Sequence, residues 1–175
     1  MDARQSEHLS RVRHLRAAFS SANERLVGAL READDLAAHR SAGRAWSAAQ
    51  VGWHVASVNT RFAAVIAGDV PAAKPLPADF VERPWAEIAA AIPGTLEATA
   101  AALPPPAATR HDAIAALEAS AVRMAQALDT LTPERGSTIG VTNPIVGTIT
   151  LYQVGDWAAA HVERHVAQAR RALTQ

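Results

Sequence analysis

The chain has 175 residues, of which 49% are hydrophobic and 19% charged, and its formal net charge is zero. This length is enough for one domain with a sizeable core, so we expect a single domain over residues 1–175. The balanced charge argues against nucleic acid as a partner, because nucleic-acid-binding domains normally carry a basic surplus. The sequence has no cysteine, which excludes disulfides and thiolate metal ligands.

No apolar stretch reaches the roughly 18–20 residues that a membrane-spanning helix needs. The first residues, MDARQSEHLSRVRHLR, are charged and lack the apolar centre of a signal peptide. We therefore expect a cytoplasmic protein without a membrane partner.

Four segments repeat apolar residues at intervals of three and four, which is typical of amphipathic helices. Ser47 with Gln50, and Thr150 with Gln153, each predict an N-terminal capping box, and Gly68 predicts a helix end. The predicted helices cover residues 4–32, 47–67, 109 or 112 to 131, and 148 or 150 to 173.

The connections between these segments are less regular. Gly43, within residues 39–46, is expected to stop a helix. Residues 78–108 form an excursion in which short helices are expected at 85–92 and 95–103. Residues 132–147 are rich in turn residues, and no stretch has a convincing strand pattern. We therefore predict an all-α four-helix bundle with an irregular, partly helical excursion between the second and third main helices.

Three histidines fall on the apolar faces of the predicted helices. His161 and His165 are one helical turn apart, so they share a face of the last helix. His54 lies in the middle of the apolar stripe of the second helix. Side chains of facing helices can build a metal site in a bundle core, and three nitrogens leave a coordination position open. The pattern alone also fits buried core histidines, and a twist of the bundle can separate His54 from the pair.

Nearby polar residues are secondary candidates. Gln50 and Gln168 lie one turn from a candidate histidine and are candidate partners for the ring N–H groups. Asn143 and Tyr152 are candidates for the mouth of the site. Glu163 lies between the paired histidines in sequence but on another helical face, so we interpret it as a solvated charge.

Other notable side chains have ordinary structural interpretations. His8 and His14 are surrounded by arginines and are interpreted as solvated surface residues. Met124 lies on the apolar stripe of the third main helix and is interpreted as core filling.

Two stretches resemble the DinB/YfiT-like family of metal-dependent enzymes. Residues 46–55, WSAAQVGWHV, are similar to the WSxxxVxxH opening of that family's second helix. Residues 143–168 contain a Pro-x-x-Gly turn followed by the HxxxHxxQ pattern of its last loop and helix. The resemblance extends over essentially the whole chain and implies the DinB-like four-helix bundle.

The resemblance implies that His54, His161 and His165 bind a divalent metal ion, nickel or zinc, with water completing the coordination shell. Some members have a histidine immediately before the second paired histidine, where this chain has Arg164. We expect that position to face outward, so the departure does not count against the site. The resemblance also implies a homodimer.

Family members include transferases and isomerases that use low-molecular-weight thiols such as mycothiol or bacillithiol. The resemblance therefore implies metal-assisted activation of a small thiol for attack on an electrophilic small-molecule substrate. Because the chain has no cysteine, the thiol must arrive with a cosubstrate. Two alternatives stay open. One is a metal-dependent hydrolase using bound water, for which the sequence offers no clear general base, and the other is a non-catalytic metal- or ligand-binding dimeric bundle.

Overall fold

The computed structural model describes residues 2–41, 43, 45–94 and 96–174. In chain order its helices are α1 (Ala3–Glu32), α2 (Asp35–His39), α3 (Ala48–Ala67), α4 (Trp85–Ala91), α5 (Arg110–Asp129), α6 (Pro133–Thr138) and α7 (Leu151–Leu173). The four long helices α1, α3, α5 and α7 form a bundle in which α3 packs mainly on α5 and α7, and α1 mainly on α7. The predicted all-α four-helix bundle is confirmed. In the described part of the chain, no helix combines the length and apolar character needed to span a membrane.

Capping residues set the starts of the two helices that carry the candidate histidines. The Ser47 side chain accepts the backbone N–H of Gln50, and the Gln50 side chain accepts that of Ser47. Thr150 and Gln153 make the same reciprocal pair at the start of α7. Gly68 ends α3 at a φ of +87°, a left-handed conformation that glycine adopts without a Cβ penalty. These caps all lie where the sequence predicts them.

The core lies between the four long helices. Met124 is 1% exposed and fills this core, as predicted. Burial of each large apolar side chain contributes roughly 1.5–3 kcal/mol, so the seams between helices supply most of the stabilisation. Other fully buried core side chains are Leu15, Leu26, Leu30, Val51, Ile66, Leu117, Leu128 and Leu151.

A small antiparallel sheet was not predicted. Strands β2 (Ile139–Asn143) and β3 (Gly147–Thr150) form a hairpin, and β1 (Lys74–Pro75) pairs with the other edge of β2. The expectation of an irregular loop over residues 132–147 was therefore wrong. These strands are short and only partly buried, so their sequence lacks the sustained alternation that identifies a half-buried strand.

The hairpin turn accounts for Asn143, a candidate for the mouth of the site. Its side-chain Oδ1 accepts the backbone N–H of Ile145, and Gly147 takes a φ of +74° to complete the turn. Asn143 therefore has a structural role in the hairpin turn, which the sequence did not indicate.

Two further local predictions were wrong. Gly43 has a φ of +61° in a turn and ends no helix, because α2 ends at His39 with Arg40 as its C-cap. In the second half of the excursion, the described residues contain only a short 3-10 turn, Ala100–Ala102, instead of the helix expected at 95–103. The short helix expected at 85–92 is confirmed as α4.

His8 is not a surface residue. It is buried against α7, and its Nδ1 lies 2.6 Å from the hydroxyl of Tyr152. The prediction failed because the neighbouring arginines do not reveal that α7 covers this face of α1. Tyr152 precedes His161 by nine residues on α7, about 13 Å along the helix axis, so it does not line the mouth of the histidine site. His14 is exposed, as predicted.

Candidate metal centre

The structure brings His54, His161 and His165 into one cluster between α3 and α7. One ring nitrogen from each histidine lies within 4.8 Å of those of the other two. The ring centroids are 5.3 Å apart for His54 and His161, 4.9 Å for His54 and His165, and 4.5 Å for the α7 pair. The twist of the bundle therefore does not separate His54 from the pair.

Local packing aims the three side chains inward. His54 is 6% exposed and lies between Val51 and Val55, both fully buried on the core face of α3. On α7, the buried Val162 and Val166 each follow a histidine and hold this side of the helix against the bundle. The helical spacing of four places His161 and His165 in successive turns of that face.

Hydrogen bonds fix two of the rings. The Nδ1 of His54 lies 2.8 Å from the carbonyl oxygen of Ala102, and the Nδ1 of His165 lies 2.7 Å from the Oε1 of Gln168. Both oxygens only accept hydrogen bonds, so each Nδ1 carries the proton and each Nε2 keeps a free lone pair. A hydrogen bond from one ring N–H to an oxygen acceptor, which leaves the other ring nitrogen free, is typical of histidines that bind metals.

The two predicted glutamine partners have different outcomes. Gln168 bonds to a candidate ligand, as its position three residues after His165 indicates. Gln50 instead completes the capping box with Ser47, so this candidate was wrong. The partner of His54 is the backbone of Ala102, and no residue type in the sequence could have indicated a carbonyl group from the excursion.

His161 supplies a direct test of whether the cluster fits a metal ion. Its Nδ1 is buried and has no hydrogen-bond partner among the described residues. An unsatisfied buried polar atom costs about 1–3 kcal/mol, a cost that a bound ligand can remove. Three neutral imidazole nitrogens suit zinc, nickel, copper or ferrous iron, and the donor set therefore fits a divalent ion.

Burial keeps the three rings neutral. It lowers the pKa of His54, against a smaller opposing effect of the Ala102 carbonyl. It also lowers the pKa of His161 well below its ordinary value, with His165 and His54 adding to the effect. The pKa of His165 falls to about 4, again chiefly through burial. Neutral imidazole is the form that binds metals, so no proton has to leave at neutral pH.

The charge near the cluster is positive. Arg164 lies beside it and lowers the pKa values of His161 and His165. It is half-buried and bonds to the carbonyl groups of Pro93 and Gly94 at the exposed surface, which is consistent with the outward position expected for it. Among the residues that the structure describes, no carboxylate joins the cluster.

The Glu163 carboxylate, although next to Arg164 in the chain, lies at the surface and is not part of the histidine cluster. Its side chain is 57% exposed and forms an ion pair with Arg25 of α1. Its interpretation as a solvated surface charge is consistent with this placement.

Aromatic rings flank the cluster on two sides. The Trp46 ring lies 4.8 Å from that of His54, and the Phe62 ring lies 6.1 Å from that of His161. Trp157 in turn packs 5.1 Å from Phe62. These three half-buried side chains give the cluster apolar walls, which limit the access of water and raise the strength of electrostatic interactions inside.

A four-helix bundle that brings three neutral imidazoles from two helices to one point defines a class of bundle proteins with an interior candidate metal site. The family model of the DinB superfamily matches residues 14–169, which include all three histidines. The chain belongs to the DinB superfamily, and the family resemblance of its two motifs is thereby confirmed. Comparison with curated proteins gives no match.

Proposed function

We propose that His54, His161 and His165 bind one divalent metal ion, nickel or zinc, and that the protein activates a low-molecular-weight thiol for transfer to a small electrophilic substrate. The observation that carries the proposal is the cluster itself, in which the three ring nitrogens lie within 4.8 Å of one another. Membership of a metal-associated superfamily supports it. A homodimeric state and a cytoplasmic location belong to the same proposal and rest on the family resemblance.

Several groups in and around the cluster have roles in this proposal. The three histidines hold the metal ion, while Gln168 and the Ala102 carbonyl orient two of the rings. A divalent ion with an open position lowers the pKa of a thiol that binds there. The positive charge of Arg164, with no carboxylate in the cluster, favours an anionic ligand such as a thiolate over a neutral one.

The transfer needs a sulfur atom from outside the chain, because the sequence has no cysteine. In the proposed step, the S–H bond of the cosubstrate breaks and its proton passes to solvent. The sulfur then forms a bond to the electrophilic carbon of the substrate with its own electron pair. The leaving group departs with the electron pair of the bond that breaks and takes up a proton from water.

Thiol activation is better supported than hydrolysis. A hydrolase of this type normally uses a carboxylate or other base to take a proton from the attacking water. No carboxylate among the described residues joins the cluster, and Glu163 is paired with Arg25 at the surface. A divalent ion held by the three histidines would activate a thiol more easily than water, because the ordinary pKa of a thiol is about 8.5 and that of water is about 15.7.

The metal proposal is tested by elemental analysis of protein purified without a histidine tag. We expect roughly one divalent ion per chain in the wild type, and its loss in His54→Ala and in His165→Ala, because a three-ligand site does not survive removal of one ligand at ordinary metal concentrations. His14→Ala is the matched control, since His14 is exposed on α1. A His54→Ala protein that keeps the full metal content would contradict the three-ligand site.

The thiol proposal has its own test. Metal-loaded protein is incubated with several low-molecular-weight thiols and electrophiles, and the loss of free thiol is followed. We expect consumption with the wild type and none above background with His165→Ala. If metal binds as proposed but no combination is consumed, the thiol proposal fails, and the metal-dependent hydrolase and the non-catalytic metal-binding bundle are the alternatives left.

A further inference from the structure

Residues 93–94 and 96–102, here called the strap, run between the two helices that carry the histidines. At its first end, Arg164 of α7 donates from Nη1 to the Pro93 carbonyl over 2.8 Å and from Nη2 to the Gly94 carbonyl. The strap is therefore fastened to α7 by one guanidinium that binds two successive carbonyl groups.

At its other end the strap is fastened to α3. The Ala102 carbonyl accepts the hydrogen bond from His54 Nδ1, and the Ala101 carbonyl accepts a longer one, 3.4 Å, from the Ser57 hydroxyl. Ala102 is buried, whereas most of the other described strap residues are exposed. The strap has little apolar burial and only one 3-10 turn of its own, so its position depends on the bonds at its ends.

We propose that Arg164 is a positioning residue for the metal centre. Its two hydrogen bonds fix the strap, the strap fixes the Ala102 carbonyl, and that carbonyl fixes the tautomer and orientation of His54. Because Arg164 is adjacent to His165 in the chain, one turn of α7 carries both a proposed ligand and the group that orients the proposed ligand on α3. The metal part of this inference rests on the proposed function, and the part about the strap and His54 does not.

The charge of Arg164 distinguishes positioning from a simple electrostatic effect. A guanidinium beside three imidazoles repels a metal cation, so a residue that acted through charge alone would weaken metal binding, and its removal would tighten it. If Arg164 acts through its hydrogen bonds, its removal should instead weaken metal binding. Lysine keeps the charge but lacks the planar fork that binds both carbonyl groups in fixed directions.

The test compares Arg164→Ala and Arg164→Lys with the wild type. Arg25→Ala is the matched control, because it breaks the ion pair with Glu163, the residue just before Arg164, without contacting the strap. Three quantities are measured: amide hydrogen exchange of residues 96–103 in metal-free protein, the His54 tautomer by nitrogen-15 NMR in the same protein, and Zn²⁺ affinity by competition with a chelator. Thermal melts show whether each variant is folded. If Arg164→Ala does not fold, Arg164→Lys alone is compared with the wild type.

We expect exchange in the strap to become at least about tenfold faster in both Arg164 variants as its fastening is lost. His54 should then populate both tautomers, and Zn²⁺ affinity should fall about 10–100-fold, as for other groups that orient metal ligands. Arg25→Ala should match the wild type in all three measurements.

Three results would overturn the inference. The first is unchanged exchange and an unchanged His54 tautomer in both variants. The second is faster exchange with the same tautomer and Zn²⁺ affinity, since Arg164 would then only fasten a loop. The third is tighter Zn²⁺ binding in Arg164→Ala, the result expected of a repelling charge. If the wild type binds no Zn²⁺, the proposed function fails, and exchange and tautomer still decide whether Arg164 positions His54.

Discussion

Gly136 packs against the ring of Tyr152 at the start of α7, and replacing it with alanine should destabilise the fold. A Cβ at this position would lie 2.2 Å from Cζ, 2.4 Å from Cε2 and 2.6 Å from Cε1 of Tyr152. Ordinary contacts between carbon atoms are about 3.5–4.0 Å, so the ring must move by roughly 1 Å or more. Such overpacking costs about 1–3 kcal/mol, and weakening the buried Tyr152–His8 hydrogen bond adds about 1 kcal/mol. We expect the free energy of unfolding to fall by roughly 2–4 kcal/mol.

Urea denaturation followed by circular dichroism measures this loss. Gly28→Ala in α1 is the matched control, because a Cβ there would meet nothing within 4 Å. Alanine is the better helix former, so the control should gain about 0.5–1 kcal/mol. A Gly136→Ala protein as stable as the wild type would refute the packing argument, and equal losses in both variants would show that the contact with Tyr152 is not the cause.

Two further predictions concern the metal centre, and a third concerns the half-buried Asp156. Gln168→Leu removes the hydrogen-bond acceptor of His165 Nδ1 and should weaken Zn²⁺ affinity about 10–100-fold in a chelator competition. The control is Gln126→Leu at an exposed position, which should bind Zn²⁺ as the wild type does. Equal affinities in the two variants would contradict the role of Gln168. Zn²⁺ at 100 times its Kd should raise the unfolding free energy of the wild type by about 2.7 kcal/mol and leave His54→Ala unchanged; a similar rise in both would place the ion elsewhere. Burial raises the pKa of Asp156 despite the nearby Arg11, so its ionised form is destabilising. This cost is absent below the unfolded-state pKa of about 4 and complete above the folded-state pKa. The unfolding free energy of Asp156→Asn, measured relative to that of the wild type, should therefore increase with pH across that interval. A difference between the two proteins that does not change with pH would refute this prediction.

The long helices could be predicted from the sequence because their signals are local. Ser47 and Gln50 are three residues apart and satisfy each other's backbone groups wherever the helix lies in the fold. Gly68 likewise ends α3 through its own conformation. The apolar repeat then shows which face each helix buries, and four such helices leave few ways to pack.

The hairpin could not be predicted because its signals depend on residues that pair across the turn. Gly140 lies opposite Thr150, and a Cβ at Gly140 would lie 2.2 Å from the carbonyl oxygen of Ile149. The glycine is thus required by the close approach of β3. In the sequence alone it is one more turn residue in a segment without clear alternation.

The site shows the same division between local and distant partners. The three histidines and Gln168 could be predicted because helical spacing places them on known faces. The carbonyl of Ala102 could not, since every residue has a carbonyl group and only the path of the excursion brings this one to His54. The burial of His8 was missed for a related reason, because it depends on how α7 packs across α1.

The hydrogen bonds around the cluster affect which ion it should select. Ala102 and Gln168 hold two of the rings with a free Nε2, so the orientation of these two proposed ligands is set by the protein's own hydrogen bonds. The Nδ1 of His161 is buried without a hydrogen-bond partner among the described residues, and a bound ion can offset the cost of that burial. With ring positions set by the bundle and the strap, discrimination among zinc, nickel and copper should depend on how well each accepts this fixed three-nitrogen geometry.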